Sequence, residues 1–278
     1  MTKKQIYISF TTIPSRIKNL KSTITSLLEQ NITKIKIILN IPKIYDRFKK
    51  EKLEIPKFIL DEKRIIINNL NKDYGPITKL MGILEYIKKN NKEIETKNIY
   101  IITVDDDVYY QPNLVFILFS KILKFEDKGF KGCFGCMGLN IDMNAHLFIP
   151  GQLDNTKINI LEGKGAVIYK YDYFNDNNFK KYILLFQKYK ECKYSDNIII
   201  SNWLANKNIE RFLVFDKNYN RKLIESKYSL SYGNDKFSLT KPCDLMGTNV
   251  ERYKRCFSKL INLKKMYFIN DFIKSYKK

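Results

Sequence analysis

Histidine is almost absent from this chain: His146 stands alone in 278 residues. A Ser-His-Asp or Cys-His arrangement would have to be built on that one side chain, and neither G-x-S-x-G nor H-E-x-x-H occurs. The G-x-G-x-x-G of a dinucleotide fold and the G-x-x-x-x-G-K-S/T of a phosphate loop are missing as well. These absences disfavour hydride transfer, NTP hydrolysis on a phosphate loop and zinc proteolysis. Proline (7) and glycine (11) are too sparse for collagen-like or low-complexity architecture. No stretch approaches the roughly 20 apolar residues that cross a bilayer. The N-terminus runs straight into Ile6-Tyr-Ile-Ser-Phe10, without the apolar segment and small-residue cleavage site of a signal peptide. The expectation is a soluble, cytoplasmic protein. The five cysteines (Cys133, Cys136, Cys192, Cys243 and Cys256) are odd in number and scattered, which reads as free thiols in a reducing compartment. Cys133-Phe-Gly-Cys136 has the spacing of half a zinc site, but no second pair follows it.

What is present is material for a core. Hydrophobic residues make up 44% and aromatics 14%, enough to exclude intrinsic disorder for most of the chain. The length fits one large domain or two closely packed lobes. Fifty Lys and Arg against 29 Asp and Glu give a net charge of +21, which suggests acidic ligands. The abundance of Lys, Ile, Asn, Tyr and Phe is what an A/T-rich coding sequence favours, so part of that charge records nucleotide bias.

Along the first half, strand-like and helix-like patterns alternate. Strands are expected at Gln5 to Ser9, Lys34 to Leu39, Arg64 to Asn68 and Asn98 to Val104, with helices at Arg16 to Gln30, Ile77 to Asn90 and after Pro112. This alternation predicts an α/β fold with a mostly parallel sheet flanked by helices. The second half predicts strands at Gly132 to Gly138, Gly163 to Tyr169 and Arg211 to Phe215, and helices at Tyr173 to Lys190 and Ser195 to Asn206. No linker or repeat interrupts the chain, so one domain over 1–263 is expected, in two halves, 1–110 and 111–263. The basic, amphipathic stretch 264–278 is either a packed or frayed terminal helix or a contact with an anionic membrane surface.

Asp105-Asp106-Asp107 follows the apolar strand directly. Adjacent carboxylates repel one another unless a cation or another positive group holds them. Ligands of open α/β sheets bind beyond the carboxyl ends of the strands, where this triplet falls. Residues i and i+2 of an extended chain point the same way, so Asp105 and Asp107 can address one site. Such hard oxygen ligands suit Mg²⁺ or Mn²⁺ bridging a diphosphate. The plainer alternative is an acidic turn before the helix that follows Pro112.

Five segments, in this order, resemble GT-A-fold nucleotide-sugar glycosyltransferases of a family-two-like bacterial and viral branch. They are Ile8-Ser-Phe-Thr-Thr-Ile-Pro-Ser-Arg16, Asp73-Tyr-Gly-Pro-Ile-Thr-Lys-Leu80, the strand ending in Asp105-Asp-Asp107 (that fold's DXD motif), Glu162-Gly-Lys-Gly-Ala-Val-Ile-Tyr169, and Ser195-Asp-Asn-Ile-Ile-Ile-Ser-Asn-Trp-Leu204. The resemblance implies a Rossmann-like GT-A sheet and transfer of a sugar from a nucleotide-diphosphate donor, UDP-linked, to a hydroxyl of a glycan or glycoprotein. It implies Mn²⁺ or Mg²⁺ on Asp107 directly, with Asp105 touching the metal or the donor ribose. Thr11, Pro14 and Arg16 would lie against base and ribose, Asp73 and Lys79 beside the nucleotide, Asp106 near the ribose, and Glu162 and Gly163 beside the donor sugar.

An inverting transfer also needs a carboxylate base for the acceptor hydroxyl. Asp196 is the candidate; the second acid of that late motif is Asn197 here. This departure keeps open a chain that binds donor without turnover, and Asp196 can equally start a helix. Lys79 is either a counter-charge for the leaving diphosphate or a solvated helix lysine. Gly163 and Gly165 either admit close backbone approach or mark a bulge. Trp203 and the tyrosines either stack on an acceptor sugar or fill the core. Two other classes compete: a basic nucleic-acid-binding protein, against which the acids in the crevice speak, and a nucleotidyltransferase on the same metal site.

Overall fold

β1 (Gln5–Thr11) and β4 (Ile99–Thr103) are apolar and buried along nearly their whole length, as strands covered on both faces must be. In the computed structural model the described residues are 3–32, 34–48, 51, 53–91, 93–142, 147–150, 154–214, 239, 247–269 and 271. His146, Gly151, Phe215, Cys243 and the tail 272–278 lie outside them.

The remaining strands are β2 (Ile35–Pro42), β3 (Ile65–Leu70), β5 (Gly132–Gly135), β6 (Gly138–Asp142), β7 (Leu147–Pro150), β8 (Ile160–Leu161), β9 (Val167–Lys170) and β10 (Glu210–Leu213). The helices are α1 (Lys21–Leu28), α2 (Lys57–Leu60), α3 (Thr78–Asn90), α4 (Leu114–Glu126), α5 (Asn177–Phe186), α6 (Lys190–Lys193), α7 (Asp196–Asn206) and α8 (Asn249–Asn262). Seven strands form one sheet in the order β10-β5-β9-β4-β1-β2-β3. Neighbours in it are parallel except β9, which runs antiparallel to β4 and to β5. The expected α/β architecture, a mostly parallel central sheet with flanking helices, is therefore present. Strands from both expected halves share this sheet.

Side-chain alternation splits the core in two. Ile6, Ile8 and Phe10 of β1 join Tyr100 and Ile102 of β4 on one face, against α1 and α4. Tyr7, Ile99 and Ile101 point to the other face, against α3, α5, α7 and α8. Burying each of Leu80 and Ile83 on α3 contributes roughly 1.5–3 kcal/mol.

Several expected elements are divided. The first helix is a 3₁₀ turn (Ile17–Asn19) followed by α1. The expected strand Gly132–Gly138 is two strands in two sheets, β5 in the large sheet and β6 in a small antiparallel one ordered β7-β6-β8. Gly163–Gly165 is a 3₁₀ turn, with β9 starting only after Ala166 at φ +69°. The helix expected from Tyr173 begins at Asn177, where Asp176 accepts from Phe179 N–H and caps it. Helix α8 was not expected; Thr248 and Glu251 close a reciprocal capping box at its start. Beyond it the described part of the terminal stretch folds back: Phe268 is fully buried and stacks on Phe257. No helix among the described residues is long and apolar enough to cross a membrane.

Trp203 lies in the core, donating Nε1–H to Tyr173 O at 2.9 Å and packing on Phe179 and Tyr182, so it is not an acceptor platform. Cys133, Cys136, Cys192 and Cys256 are buried free thiols, and among the described residues no three His, Cys, Asp or Glu side chains form a metal cluster.

Candidate active site

Strands β1 to β3 run outward in one direction, and β4 returns to the other side of β1. This reversal opens a crevice beyond the carboxyl ends of β1 and β4. The loop from Thr11 to Arg16 and the triplet Asp105 to Asp107 leave those two ends. Because β9 is antiparallel, with Val167 opposite Thr103, the Glu162–Gly165 turn arrives at the same place. The resulting cavity is lined by Thr11, Arg16, Asp73, Lys79, Asp105, Asp106, Asp107, Glu162 and Asp196, among others.

The three carboxylates have different partners. Asp106, only 6% exposed, accepts from Thr12 Oγ1 at 2.7 Å and from Arg16 Nη1 at 2.9 Å. Its backbone carbonyl accepts from Thr23 Oγ1 at 3.0 Å, so it anchors the β1 loop to the triplet. Asp107 Oδ2 lies 3.3 Å from the same Arg16 nitrogen. Asp105 Oδ1 accepts from Lys79 Nζ at 2.7 Å, and its backbone N–H donates to Tyr110 Oη at 2.8 Å. Burial raises the Asp106 carboxyl, opposed by Arg16 and Thr12. Burial, then Asp106 and Asp105, push the Asp107 carboxyl up to about 7 against the pull of Arg16 and Lys164.

Lys79 is 5% exposed and makes a second ion pair, 3.1 Å to Asp196 Oδ2. Burial opposes its charge, but Asp105 and Asp196 outweigh that and hold its pKa above the ordinary lysine value. A buried polar chain fixes the start of α3. Asn68 donates to Asn40 Oδ1, Asn40 donates to Ser9 Oγ, and Ser9 donates to the Lys79 carbonyl at 2.5 Å. Lys79 is therefore a buried ion-pair centre and not a solvated lysine.

Asp196 opens α7 in its first turn. Neither it nor Ser195 caps the helix with its side chain; Ser195 Oγ donates instead to Glu191 O at 2.6 Å. The Asp196 carboxylate faces the cavity and Lys79. Asn197 uses both ends of its amide. Its Oδ1 accepts from Gly163 N–H at 3.1 Å while its Nδ2 donates to Tyr253 Oη at 2.9 Å, bracing the Glu162 turn against α8. Glu162 is pushed up to about 7 by burial and then by Asp105, with Lys164 pulling down and Asp196 adding to the rise.

The other expected residues hold the walls. Thr11 Oγ1 donates to Asn40 O at 2.8 Å. Asp73 accepts from Gly75 N–H at 2.7 Å and Asp46 N–H at 2.8 Å, so both its oxygens are occupied by backbone. Pro14 does not line the cavity; it sits second in the turn closed by Arg16 N–H on Ile13 O, where its fixed φ suits the bend. Gly163 does not line it either. A Cβ there would lie 2.6 Å from Lys79 Nζ and 3.2 Å from Asp105 Oδ1, so the glycine makes room for the ion pair and not for a sugar. Gly165 has a similar constraint, with the Met137 backbone nitrogen 2.8 Å from its would-be Cβ. Gly163→Ala should therefore push Lys79 off its carboxylates and cost about 1–3 kcal/mol, readable as a lower denaturant midpoint at unchanged m-value.

Sequence reasoning missed Thr12, Tyr45, Arg47, Lys164, Tyr194, Arg252 and Tyr253, all of which line the cavity. Thr12 was within reach, as the neighbour of a named residue in the same loop. Lys164 was too, lying between the named Gly163 and Gly165; the others come from separate loops and from α8, with no spacing to betray them. Arg252 is almost fully buried, donating to Tyr194 O and Leu239 O at 3.0 and 2.9 Å. Arg47 lies over the rings of Phe48 and Tyr194, at 5.2 and 5.7 Å from their centroids.

Two features bear on a divalent cation. Asp105 Oδ2 and Asp107 Oδ1 accept no hydrogen bond among the described residues, and both side chains keep partial exposure at 30% and 22%. Burial and then the like charges of Asp106 and Asp105 lift Asp107, and a cation would relieve the part due to charge. Two hard carboxylate oxygens completed by substrate phosphates are the usual protein share of a Mg²⁺ site, so the residues fit such an ion.

No protein-family model matches this chain, and no curated protein matches it. Among solved structures it is similar to residues 1–349 of S. aureus TarS in complex with UDP, at 13% identity and a TM-score of 0.47, over 77% of this chain and 58% of that one. It is similar also to the same TarS segment in complex with UDP-GlcNAc, at 13% identity and 0.46, over 77% and 56%. The match thus spans less than two thirds of the TarS chain.

Proposed function

We propose that this chain is a glycosyltransferase of GT-A type, moving a sugar from a nucleotide-diphosphate donor, UDP-linked, to a hydroxyl of a glycan or glycoprotein, with inversion and with Mn²⁺ or Mg²⁺. One observation carries the reading. At the crevice where strand order reverses, the buried Lys79 ammonium joins the acidic triplet to a separate carboxylate, Asp196. In this reading Asp105 is a cation ligand, Lys79 a fixed positive charge 2.7 Å from it, and Asp196, 3.1 Å from Lys79, the base. The UDP linkage rests on the sequence resemblance.

In this reading the acceptor oxygen attacks the anomeric carbon, the bond from that carbon to the β-phosphate oxygen breaks, and the nucleoside diphosphate departs. Asp196 takes the acceptor proton. Lys79 opposes the charge that grows on the departing phosphate. Arg16 holds Asp106 and steadies Asp107, keeping the triplet from splaying. A Mn²⁺ or Mg²⁺ ion on Asp105 and Asp107 would supply Lewis-acid stabilisation of the departing diphosphate. Six acids line the cavity (Asp73, Asp105, Asp106, Asp107, Glu162 and Asp196), which argues against nucleic acid as its occupant despite the +21 charge.

The test is product analysis with Mn²⁺ and a panel of UDP- and GDP-sugars with hydroxyl acceptors, run beside nucleoside triphosphates with sugar 1-phosphates. Release of nucleoside diphosphate supports the reading. Release of pyrophosphate would make the chain a nucleotidyltransferase, and salt-sensitive RNA retention without either product a nucleic-acid-binding protein.

The raised carboxyls also set a pH dependence. Asp107 and Glu162 titrate at about 7 in the folded chain, well above their values in an unfolded one. Between those two values the folded state binds more protons, so stability falls as pH rises from about 4 to about 7. Asp107→Asn should remove part of that slope. Thermal midpoints measured across this range, without divalent cation, check it; an unchanged slope would contradict the assignment.

A further inference from the structure

Both candidate metal ligands face a protein cation. Lys79 Nζ takes Asp105 Oδ1 at 2.7 Å, and Arg16 Nη1 lies 3.3 Å from Asp107 Oδ2. Lys79 is also tied to Asp196, the candidate base, at 3.1 Å, and its side chain is 6% exposed. Gly163 closes on its ammonium so tightly that no methyl group fits between them. No third acid, thiol or imidazole completes a protein-only metal site among the described residues.

We infer that Lys79 is a positioning residue that stands in for the divalent cation in the free protein, so that the ion binds tightly only together with a nucleoside diphosphate. The inference rests on the proposed function and deepens it. A dication brought to Asp105 and Asp107 alone meets two fixed positive charges at close range in a desolvated crevice. A diphosphate adds negative charge to which Lys79 can turn, lowering that repulsion and releasing Asp105 Oδ1. Linkage then requires that the cation strengthen nucleotide binding by the same factor. The arrangement also keeps Asp196 paired while no donor is bound.

The experiment measures free Mn²⁺ by its paramagnetic resonance signal at about pH 8, where the carboxyls compete least with protons. It uses wild-type protein and Lys79→Met, each with and without UDP. Wild type should bind Mn²⁺ weakly alone and at least about tenfold more tightly with saturating UDP. Lys79→Met should bind Mn²⁺ without UDP at least about tenfold more tightly than wild type, with the UDP effect correspondingly smaller. A structural lysine would not produce a gain in metal affinity. A folded Lys79→Met with unchanged Mn²⁺ affinity overturns the inference. If that variant fails to fold, the wild-type protein decides, and equal Mn²⁺ affinity with and without UDP overturns it. UDP binding with no Mn²⁺ binding in any sample sinks metal dependence together with this inference but leaves nucleotide recognition standing. Absence of UDP binding altogether sinks the proposed function as well.

Discussion

Replacing Asp107 by alanine should lower metal-dependent sugar transfer by roughly a thousandfold or more while leaving the protein folded. Lewis-acid stabilisation of a departing diphosphate is worth several kcal/mol, and each 1.4 kcal/mol or so is tenfold in rate. The loss should appear in kcat/KM and should not be recovered by raising Mn²⁺ to moderate excess. Stability should move the other way. Asp107 is pressed by burial and by its neighbours Asp106 and Asp105, so its removal above about pH 7 relieves repulsion, and the metal-free thermal midpoint should hold or rise. Thermal scans with and without Mn²⁺ and UDP give the second readout. The stabilisation that ligand and metal bring to wild type should vanish in the variant. A variant that keeps both the shift and the activity would remove Asp107 from the metal site and return the triplet to an acidic turn.

Asp196→Asn should have the other large effect. General-base assistance contributes typically about 10²- to 10⁴-fold, so kcat should fall by that order while donor affinity changes by less than about threefold. The amide keeps the volume and can still accept from Lys79, which limits but does not remove the stability cost of halving a buried ion pair. Thermal midpoints and donor titrations separate the two consequences. Single-turnover measurement with saturating UDP-sugar isolates the chemical step. If kcat stays within about tenfold of wild type, the base lies elsewhere, and Glu162, with its carboxyl at about 7, is the next to replace.

Much of the fold was legible because its signals are local. The strand ending in Val104 is a continuous β-branched and aromatic run, and the helix beginning near Ile77 repeats apolar residues at helical spacing; both periods survive whatever they pack against. The boundaries that slipped did so where tertiary contacts override local pattern. Gly132 to Gly138 reads as one strand, yet Cys136 and Met137 carry the chain from one sheet to another, a choice made by what lies opposite them. Helix α8 was legible as well, with a capping box at Thr248 and Glu251 and Tyr253, Cys256, Phe257 and Leu260 at helical spacing, although it was not expected.

The site divided along the same line. The sequence by itself determined that an acidic triplet ends a buried strand, that Lys79 and Asp196 open helices after their own loops, and that the motifs of zinc-protease, phosphate-loop and dinucleotide chemistry do not occur. Those are properties of residue identity and short-range period. Only the tertiary structure decided how the charges are shared. It gave Asp106 to Thr12 and Arg16, Lys79 to both Asp105 and Asp196, and Asn197 to a brace between Gly163 and Tyr253, and it fitted Gly163 against an ammonium. Pairings between side chains 26 to 117 positions apart depend on which strands lie side by side and how far each loop reaches. In a desolvated crevice, which cation meets which carboxylate follows from that geometry and not from the charges that the sequence lists.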